Sequence, residues 1–426
     1  MKILFTPYSG GSIAHVIRSL AIADELKSRG HEILFTTTTV RKPFINQAGY
    51  DVFGAGHAEV NLNDEKDQSI GYFRKNRGLF LNWLSDELAA AKQFQPDIVV
   101  NSPSFFGSLI RHKYRIPYVT ILNAQWLNHF RGLLGLGKST AALPHVLLRN
   151  ALRPVFTKRF EELYLAEIRE FYKTLDIGYI PSKRADLHSH NPILIPSVSA
   201  FEPLEPDTRD DVHFIGPLFW RGFEDMEFDR RGMFHDPKRP LIYVSLGGSI
   251  FRRDVYHNLI RLFIGQSEWN IIMSIGPNFQ RTDFPPDTNH FKLYEYVPGL
   301  RVAQLAELVV NTASHGTVMQ ALWHGKPLVT IPHNIDQGTI AARVHELGVG
   351  VNLNAVNLLD FSKREKYFLK ATQVKPKQIM AAIKQVLAEP RYTLNAQRIS
   401  GILRKHDRAA SLGADYVELY AKRPVH

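Results

Sequence analysis

Short apolar runs alternate with longer stretches of helical spacing along most of this 426-residue chain. KILFTPY near the N-terminus reads as a strand, and a Gly/Ser loop, SGGSIAH, follows it. In VIRSLAIADELKSRG the apolar residues Val16, Ile17, Leu20, Ile22, Ala23 and Leu26 recur at helical spacing, and Gly30 supplies the stop. HEILFTTT is the next strand, so the chain opens on a βαβ unit. The same alternation returns in PDIVVNSPSFFGSLIRHKYRIPYVTI and again from PLIYVSLGGSI through NIIMSIG, KLYEYVP and ELVVN. GYFRKNRGLFLNWLSDELAAAKQF and EELYLAEIREFYKTLDIG read as amphipathic helices. Strands that alternate with helices predict an α/β protein with parallel sheets. The length suffices for two such domains, each with its own core. Trp220 to Pro240 is charged and rich in Gly, Arg and Asp, which places the linker at 220–240 between domains at 1–219 and 241–405.

The stretch from Leu305 to Arg343 carries the densest signal. VVN reads as a strand, TASHGT as a loop of small residues, and VMQALWHG as the helix that follows. Gly325 and Pro327 stop that helix, LVTIP is another strand, and HNIDQG another loop. Strand–loop–helix units put helix N-termini and backbone N–H groups at one edge of a parallel sheet, where phosphorylated ligands bind. Gly247, Gly248 and Ser249 form a turn after the first strand of this half, and let backbone approach a phosphate closely.

These residues carry a resemblance. Gly316-Thr317, Ala321-Leu322, Gly325-Lys326-Pro327 and Asp336-Gln337 match the donor signature of nucleotide-sugar glycosyltransferases with two Rossmann-like domains, the GT-B fold. The pattern is most similar to the UDP-glycosyltransferase branch, whose bacterial members glycosylate antibiotics, macrolides and other lipophilic acceptors. His15-Val16 through Leu26-Lys27-Ser28-Arg29-Gly30-His31 is similar to that family's N-terminal histidine motif. The resemblance implies two domains facing an interdomain cleft, and a C-terminal segment, 406–426, that returns to the first domain. It implies metal-free, inverting sugar transfer from a UDP- or dTDP-sugar to a small lipophilic acceptor, with no cofactor.

The resemblance also implies roles, with departures. His15 falls on the catalytic base, and an imidazole near neutral pKa suits removal of an acceptor hydroxyl proton. The family's orienting Asp is replaced by Ser102, the donor His by Thr312 and the ribose Glu by Gln320. The donor side takes in Gly11, Ser12, Gly247 to Ser249, Ala313, Ser314, His315, Gly316 and Thr317. Tyr296 with Val297 occupies the nucleobase position, and Asp336 with Gln337 would hold sugar hydroxyls. Asn123, Trp126 and Phe130 fall on the acceptor side. Three departures leave open a second reading: an altered homologue that acts as a binding or auxiliary protein, or that uses another phosphorylated donor.

Composition narrows the field further. Lys and Arg exceed Asp and Glu by 52 to 41, a net charge of +11. A basic surface draws anionic donors, and leaves an anionic membrane surface as an alternative. The segment from Trp126 to Phe160 is apolar and basic without an acidic residue, which fits either a lipophilic acceptor cleft or a peripheral membrane contact. No nucleic-acid module is recognisable. The absence of cysteine excludes disulfides and thiolate metal sites and fits a cytoplasmic protein. No D-x-D or G-x-S-x-G occurs, and GLGKST is not a P-loop.

Overall fold

The computed structural model describes residues 1–8, 13–57, 76–102, 104, 106–127, 130–131, 169, 172–173, 180, 192–224, 228, 231–247, 253–276, 279–332, 335–353 and 374–423. They form two compact units. The first unites residues up to 131, the run ending at Arg221, and the chain from His406 onward; the second holds the described residues of 222–405.

The first unit is a parallel sheet of seven strands: β1 Lys2–Pro7, β2 Glu32–Phe35, β3 Asp51–Val52, β4 Ile98–Ser102, β5 Tyr118–Ile121, β6 Ile193–Ile195 and β7 Val212–Phe214. They lie in the order β3-β2-β1-β4-β5-β6-β7. Ile3, Leu4, Phe5, Ile98, Val99 and Val100 are buried on both faces, which is why these strands read as continuous apolar runs. The covering helices are α1 Ala14–Ser28, α2 Lys42–Gln47, α3 Arg77–Phe94 and α4 Gly107–Tyr114. Gly30 has φ +84° and its N–H bonds the Lys27 carbonyl, so the glycine stop seen in the sequence is a left-handed helix terminus.

Helix α5, Arg221–Glu224, follows Trp220, whose indole donates to Asp24 at 2.8 Å and whose ring meets Phe44 edge-on. Residues shortly before Leu241 are held differently: the His235 N–H bonds the Asn289 carbonyl, and the Asn270 amide bonds the Asp236 carbonyl.

The second unit is a parallel sheet of six strands: β8 Leu241–Ser245, β9 Asn270–Ser274, β10 Phe291–Tyr294, β11 Leu308–Asn311, β12 Leu328–Thr330 and β13 Gly350–Asn352. Their order is β10-β9-β8-β11-β12-β13. Its helices are α6 Arg253–Ile264, α7 Gly299–Leu305, α8 His315–Trp323, α9 Ile335–Glu346, α10 Pro376–Ala388 and α11 Pro390–Leu403. One continuous core joins Ile242, Val244, Ile271, Met273, Leu308 and Val310 to Tyr256, Ile260 and Phe263 of α6.

The last helix, α12 Ala409–Ala421, belongs to the first unit and lies along α1. Arg29 bonds Asp415 at 2.7 Å and Glu418 at 3.0 Å, and His31 bonds Glu418 at 2.7 Å. His213 on β7 stacks on Tyr416 with centroids 3.9 Å apart and bonds the Tyr420 hydroxyl at 2.7 Å. Gly413 permits this approach, since a Cβ there would come within 2.7 Å of Ile22 Cδ1.

The tightest glycine among the helices is Gly107, where a Cβ would fall 1.1 Å from the Tyr118 hydroxyl in the buried core. Gly107→Ala should therefore overpack the first unit and destabilise it by about 1–3 kcal/mol. A denaturant titration should show a lower midpoint at an unchanged slope; an unchanged midpoint would mean that Tyr118 moves aside without cost.

Candidate functional site

In each unit the chain winds first to one side of the opening strand and then to the other. The reversal falls between β1 and β4 in the first unit and between β8 and β11 in the second. At such a switch point the loops leaving the two strands run in opposite directions, and the carboxyl ends of the strands leave a crevice that takes ligands.

The first switch point holds the histidine. His15 sits in the first turn of α1, and Ser102 is the last residue of β4. Ser102 Oγ and His15 Nδ1 are 3.4 Å apart. Ser102 is buried, and its carbonyl accepts from the Tyr8 N–H at 2.8 Å. The Tyr8 ring meets His15 edge-on with centroids 5.6 Å apart, and on its other side lies 5.6 Å from Trp83. Trp83 in turn stacks on His57, 5.2 Å away and 11° from parallel. A row of rings thus runs from His57, past the end of β3, through Trp83 of α3 and Tyr8 to His15.

Beneath this row lies Glu87, which has no exposed surface. The Trp83 indole donates to Glu87 Oε1 at 2.7 Å, and the Ser104 hydroxyl donates to Oε2 at 3.0 Å. Burial pushes the Glu87 carboxyl up to about 8 against the opposing effect of those two bonds, so it is neutral at lower pH. Burial likewise holds His57 down to about 4, although Nδ1 is 3.9 Å from Asp86 Oδ2. One turn along α1 from His15, the guanidinium of Arg18 is buried, donates to Asn123 Oδ1 at 2.9 Å, and is lowered to about 10 by burial against the opposing charge of Glu202. Asn123 thereby serves Arg18. Trp126 closes a short 3-10 turn, and Phe130 is buried, its backbone bridged to Leu204. Gly11 and Ser12, and most of the basic apolar segment from Trp126 to Phe160, lie outside the described residues.

The second switch point holds the donor-signature loop. An in-register row of polar residues ends the strands: Ser274, Ser245, Asn311, Thr330 and Asn352, each paired with the next across the sheet. Asn311 folds its side chain over the loop and accepts from the Ala313 N–H at 2.6 Å. This holds Ala313 at φ +61°, a left-handed conformation that alanine rarely adopts. The Thr312 hydroxyl donates to the Leu246 carbonyl at 3.3 Å, tying the β11 loop to the β8 loop. Ser314 precedes α8, and its hydroxyl donates to Thr317 Oγ1 at 2.9 Å. His315 is buried in the first turn, Gly316 lies beside it, and Gln320 packs against Gly299 at the start of α7. A Cβ at Gly299 would come within 2.6 Å of Gln320 Oε1. Tyr296 is exposed and Val297 buried just before α7. Asp336 and Gln337 occupy the first turn of α9, the former exposed and the latter buried. Gly247 has φ +69° at the end of β8; Gly248 and Ser249 lie outside the described residues.

Two asparagines occupy equivalent places, Asn101 at the end of β4 and Asn311 at the end of β11. Asn101 Oδ1 accepts from the Ser104 N–H and its amide donates to the Ser104 carbonyl at 3.3 Å. Asn311 makes the matching acceptor bond, whereas its buried amide donor meets no partner among the described residues. Sequence reasoning singled out neither, nor Tyr8, Trp83 and Glu87. A signal existed for the last: Phe80, Trp83, Leu84, Glu87, Ala90 and Ala91 are the buried stripe of α3, so spacing alone puts Glu87 on the inner face.

A carboxyl whose folded pKa is raised stabilises the fold below its ordinary range and loses that contribution as pH rises through the folded value. The wild-type melting temperature should therefore fall between about pH 5 and pH 8, and Glu87→Gln should flatten that part of the profile. Parallel profiles for the two proteins would show that Glu87 does not titrate in this range.

With this geometry in view, comparison with known proteins is informative. Residues 244–410 match the glycosyltransferase family 28 C-terminal domain. The chain is 24% identical over 353 residues to the NDP-glycosyltransferase YjiC of Bacillus subtilis (strain 168), covering 80% of this chain and 81% of that one. It is 27% identical over 364 residues to the demethyllactenocin mycarosyltransferase of Streptomyces fradiae, covering 79% and 72%. Among solved structures, the glycotransferase of kitacinnamycin superposes with a TM-score of 0.71 at 19% identity, covering 99% of each chain. The two parallel-sheet units match the GT-B architecture that the sequence led us to expect. The chain has the GT-B fold and carries a glycosyltransferase family 28 C-terminal domain over residues 244–410, and over most of its length it is similar to glycosyltransferases such as YjiC and the demethyllactenocin mycarosyltransferase.

Proposed function

We propose that this enzyme transfers a sugar, with inversion and without a metal ion, from a nucleoside-diphosphate donor to a hydroxyl of a small lipophilic acceptor. The observation that carries this reading is the approach of Ser102 Oγ to His15 Nδ1 at the first switch point. A base needs a free lone pair, and Ser102 supports one: the Nδ1–H donates to Oγ, which leaves Nε2 unprotonated and able to take a proton. As the acceptor oxygen bonds to the anomeric carbon, the bond from that carbon to the diphosphate breaks. The acceptor's proton passes to His15 Nε2, and the diphosphate leaves with the electron pair. A serine hydroxyl accepts from the ring as a carboxylate does, but it is also able to donate, and it offers no charge to the imidazolium that forms.

On the donor side, the N-terminus of α8 offers its N–H groups and partial positive charge to the diphosphate. Asp336 and Gln337 would bind sugar hydroxyls, and exposed Tyr296 would stack on the base. The names of two relatives, an NDP-glycosyltransferase and a mycarosyltransferase, support a nucleotide-sugar donor. A second reading, an altered donor, has its own support. The Thr312 hydroxyl is engaged by the Leu246 carbonyl, and Gln320 lies against Gly299, so neither copies the charged group it replaces.

His15→Ala should lower turnover by roughly 10²–10⁴ with the fold intact. Near-normal turnover by the folded variant would remove His15 from the mechanism. Calorimetric titration with UDP-, dTDP- and GDP-sugars tests the donor. Gln320→Glu should tighten binding, because a carboxylate accepts from both ribose hydroxyls in bonds worth about 1.5–3 kcal/mol; His315→Ala should weaken diphosphate binding. Loss of binding in Gln320→Glu would mean that the Gln320 amide donates to the ligand, and would favour the altered donor.

A further inference from the structure

We propose that Glu87 is a positioning residue for His15, bracing the catalytic ring from two sides in place of an orienting carboxylate. The inference rests on the base role assigned above to His15. Glu87 belongs to no part of the donor signature or the histidine motif, yet its one carboxyl group bonds Trp83 and Ser104, and these lead to Tyr8 and Ser102, the two neighbours of the His15 ring.

The first arm runs through Oε1. It fixes the Trp83 indole at 2.7 Å; Trp83 is wedged between His57 and Tyr8, and Tyr8 presents its ring to His15. The second arm runs through Oε2 to the Ser104 hydroxyl at 3.0 Å, which also accepts from the Phe106 N–H at 3.2 Å. Ser104 bonds Asn101 in both directions, and Asn101 accepts from the Thr6 hydroxyl at 3.3 Å. That lattice ties the ends of β1 and β4 together and sets Ser102, the residue within reach of His15 Nδ1. Tyr8 closes the ring of contacts, since its own N–H bonds the Ser102 carbonyl.

The surroundings explain why a carboxyl group fits here. Asp86 on the same helix and Tyr118 on β5 act electrostatically with Glu87, and among the described residues no cation is named with them. Kept neutral by burial, the group works as an oriented pair of hydrogen-bonding atoms rather than as a charge. A carboxyl group buried without a counter-ion costs stability, and such costs concentrate at functional positions. A neighbouring carboxylate would hold a histidine electrostatically; with Ser102 in that place, the orientation depends on packing and neutral hydrogen bonds.

The test pairs Glu87→Gln with Glu87→Leu. Gln keeps an acceptor for Trp83 and puts an amide donor where Oε2 accepted from Ser104, so the hydroxyl turns to accept, both arms persist and turnover should be retained. Leu severs both arms and should lower kcat by about 10–100-fold, the range expected for a misplaced catalytic group. The donor KM should not change, because the donor loop belongs to the other unit. Trp83→Phe and Ser104→Ala cut one arm each and cover the case in which Glu87→Leu fails to fold; each should lower kcat with donor KM unchanged. The ring-nitrogen signals of His15, assigned by their loss in His15→Ala, provide a readout without turnover. In wild type and Glu87→Gln they should report one tautomer with the proton on Nδ1, and in the severed variants a mixture. Unchanged kcat and unchanged His15 signals in the severed variants would overturn the brace. Full activity of His15→Ala alongside shifted His15 signals in the severed variants would instead overturn the base role and leave the physical coupling standing.

Discussion

An all-parallel sheet whose strand order reverses once is the constraint from which the rest of this molecule follows. Parallel strands need crossovers, the crossovers are helices, and both sheet faces become apolar contact. Polar chemistry is then confined to the strand ends, and the reversal marks where two adjacent loops part. In the first unit this brings together the residues after β1 and β4, hence Tyr8, His15 and Ser102. In the second it brings together those after β8 and β11, hence Gly247, Thr312 and Ala313. In each group the two loops are remote in sequence; they are neighbours because one ladder register aligns the strands that carry them.

The strand ends are where both units place buried polar groups, and there the two solutions diverge. At the end of β4 the first unit joins its groups: Thr6, Asn101, Ser104, Glu87 and Trp83 form a network in which each member serves another. Such a network is rigid because breaking one bond strands a partner in a low-dielectric interior. In the second unit the Asn311 amide has no partner among the described residues, and Ala313 holds a strained left-handed conformation. On the proposed roles, the bonded network suits a base that must be oriented before substrate arrives, and the strained β11 loop suits a binding loop that gains when ligand supplies an acceptor.

The substitutions relative to the glycosyltransferase signature take on structural meaning in this setting. Ser102 keeps contact with His15 while giving up charge, and Thr312 turns its hydroxyl to a backbone carbonyl of the neighbouring loop. Gln320 fills the space over Gly299. Each is a neutral side chain in a place where the resemblance implies an ionisable one. At these three positions the contacts are neutral hydrogen bonds and packing rather than ion pairs.

Much of this was legible in the sequence. Apolar runs such as KILFTP and LIYVS, the helical stripe ending at Gly30, and the loop from Thr312 to Thr317 are local patterns, and local sterics and period dictate them. His15 and the donor loop could be found because their spacing follows from a strand–loop–helix unit a few residues long. Hydrogen-bond partners separated by long stretches of chain could not. That Ser102 meets His15, 87 residues away, depends on β4 pairing with β1. That Thr312 answers the Leu246 carbonyl, 66 residues away, depends on β11 pairing with β8. The spacing of α3 places Glu87 on a buried stripe, but only the packed unit shows which atoms its carboxyl group meets. The sequence by itself determined the elements, their order and the candidate base, because short-range geometry encodes them. Only the tertiary structure decided which polar groups satisfy one another, because that depends on strand order and register, which no local window of residues contains.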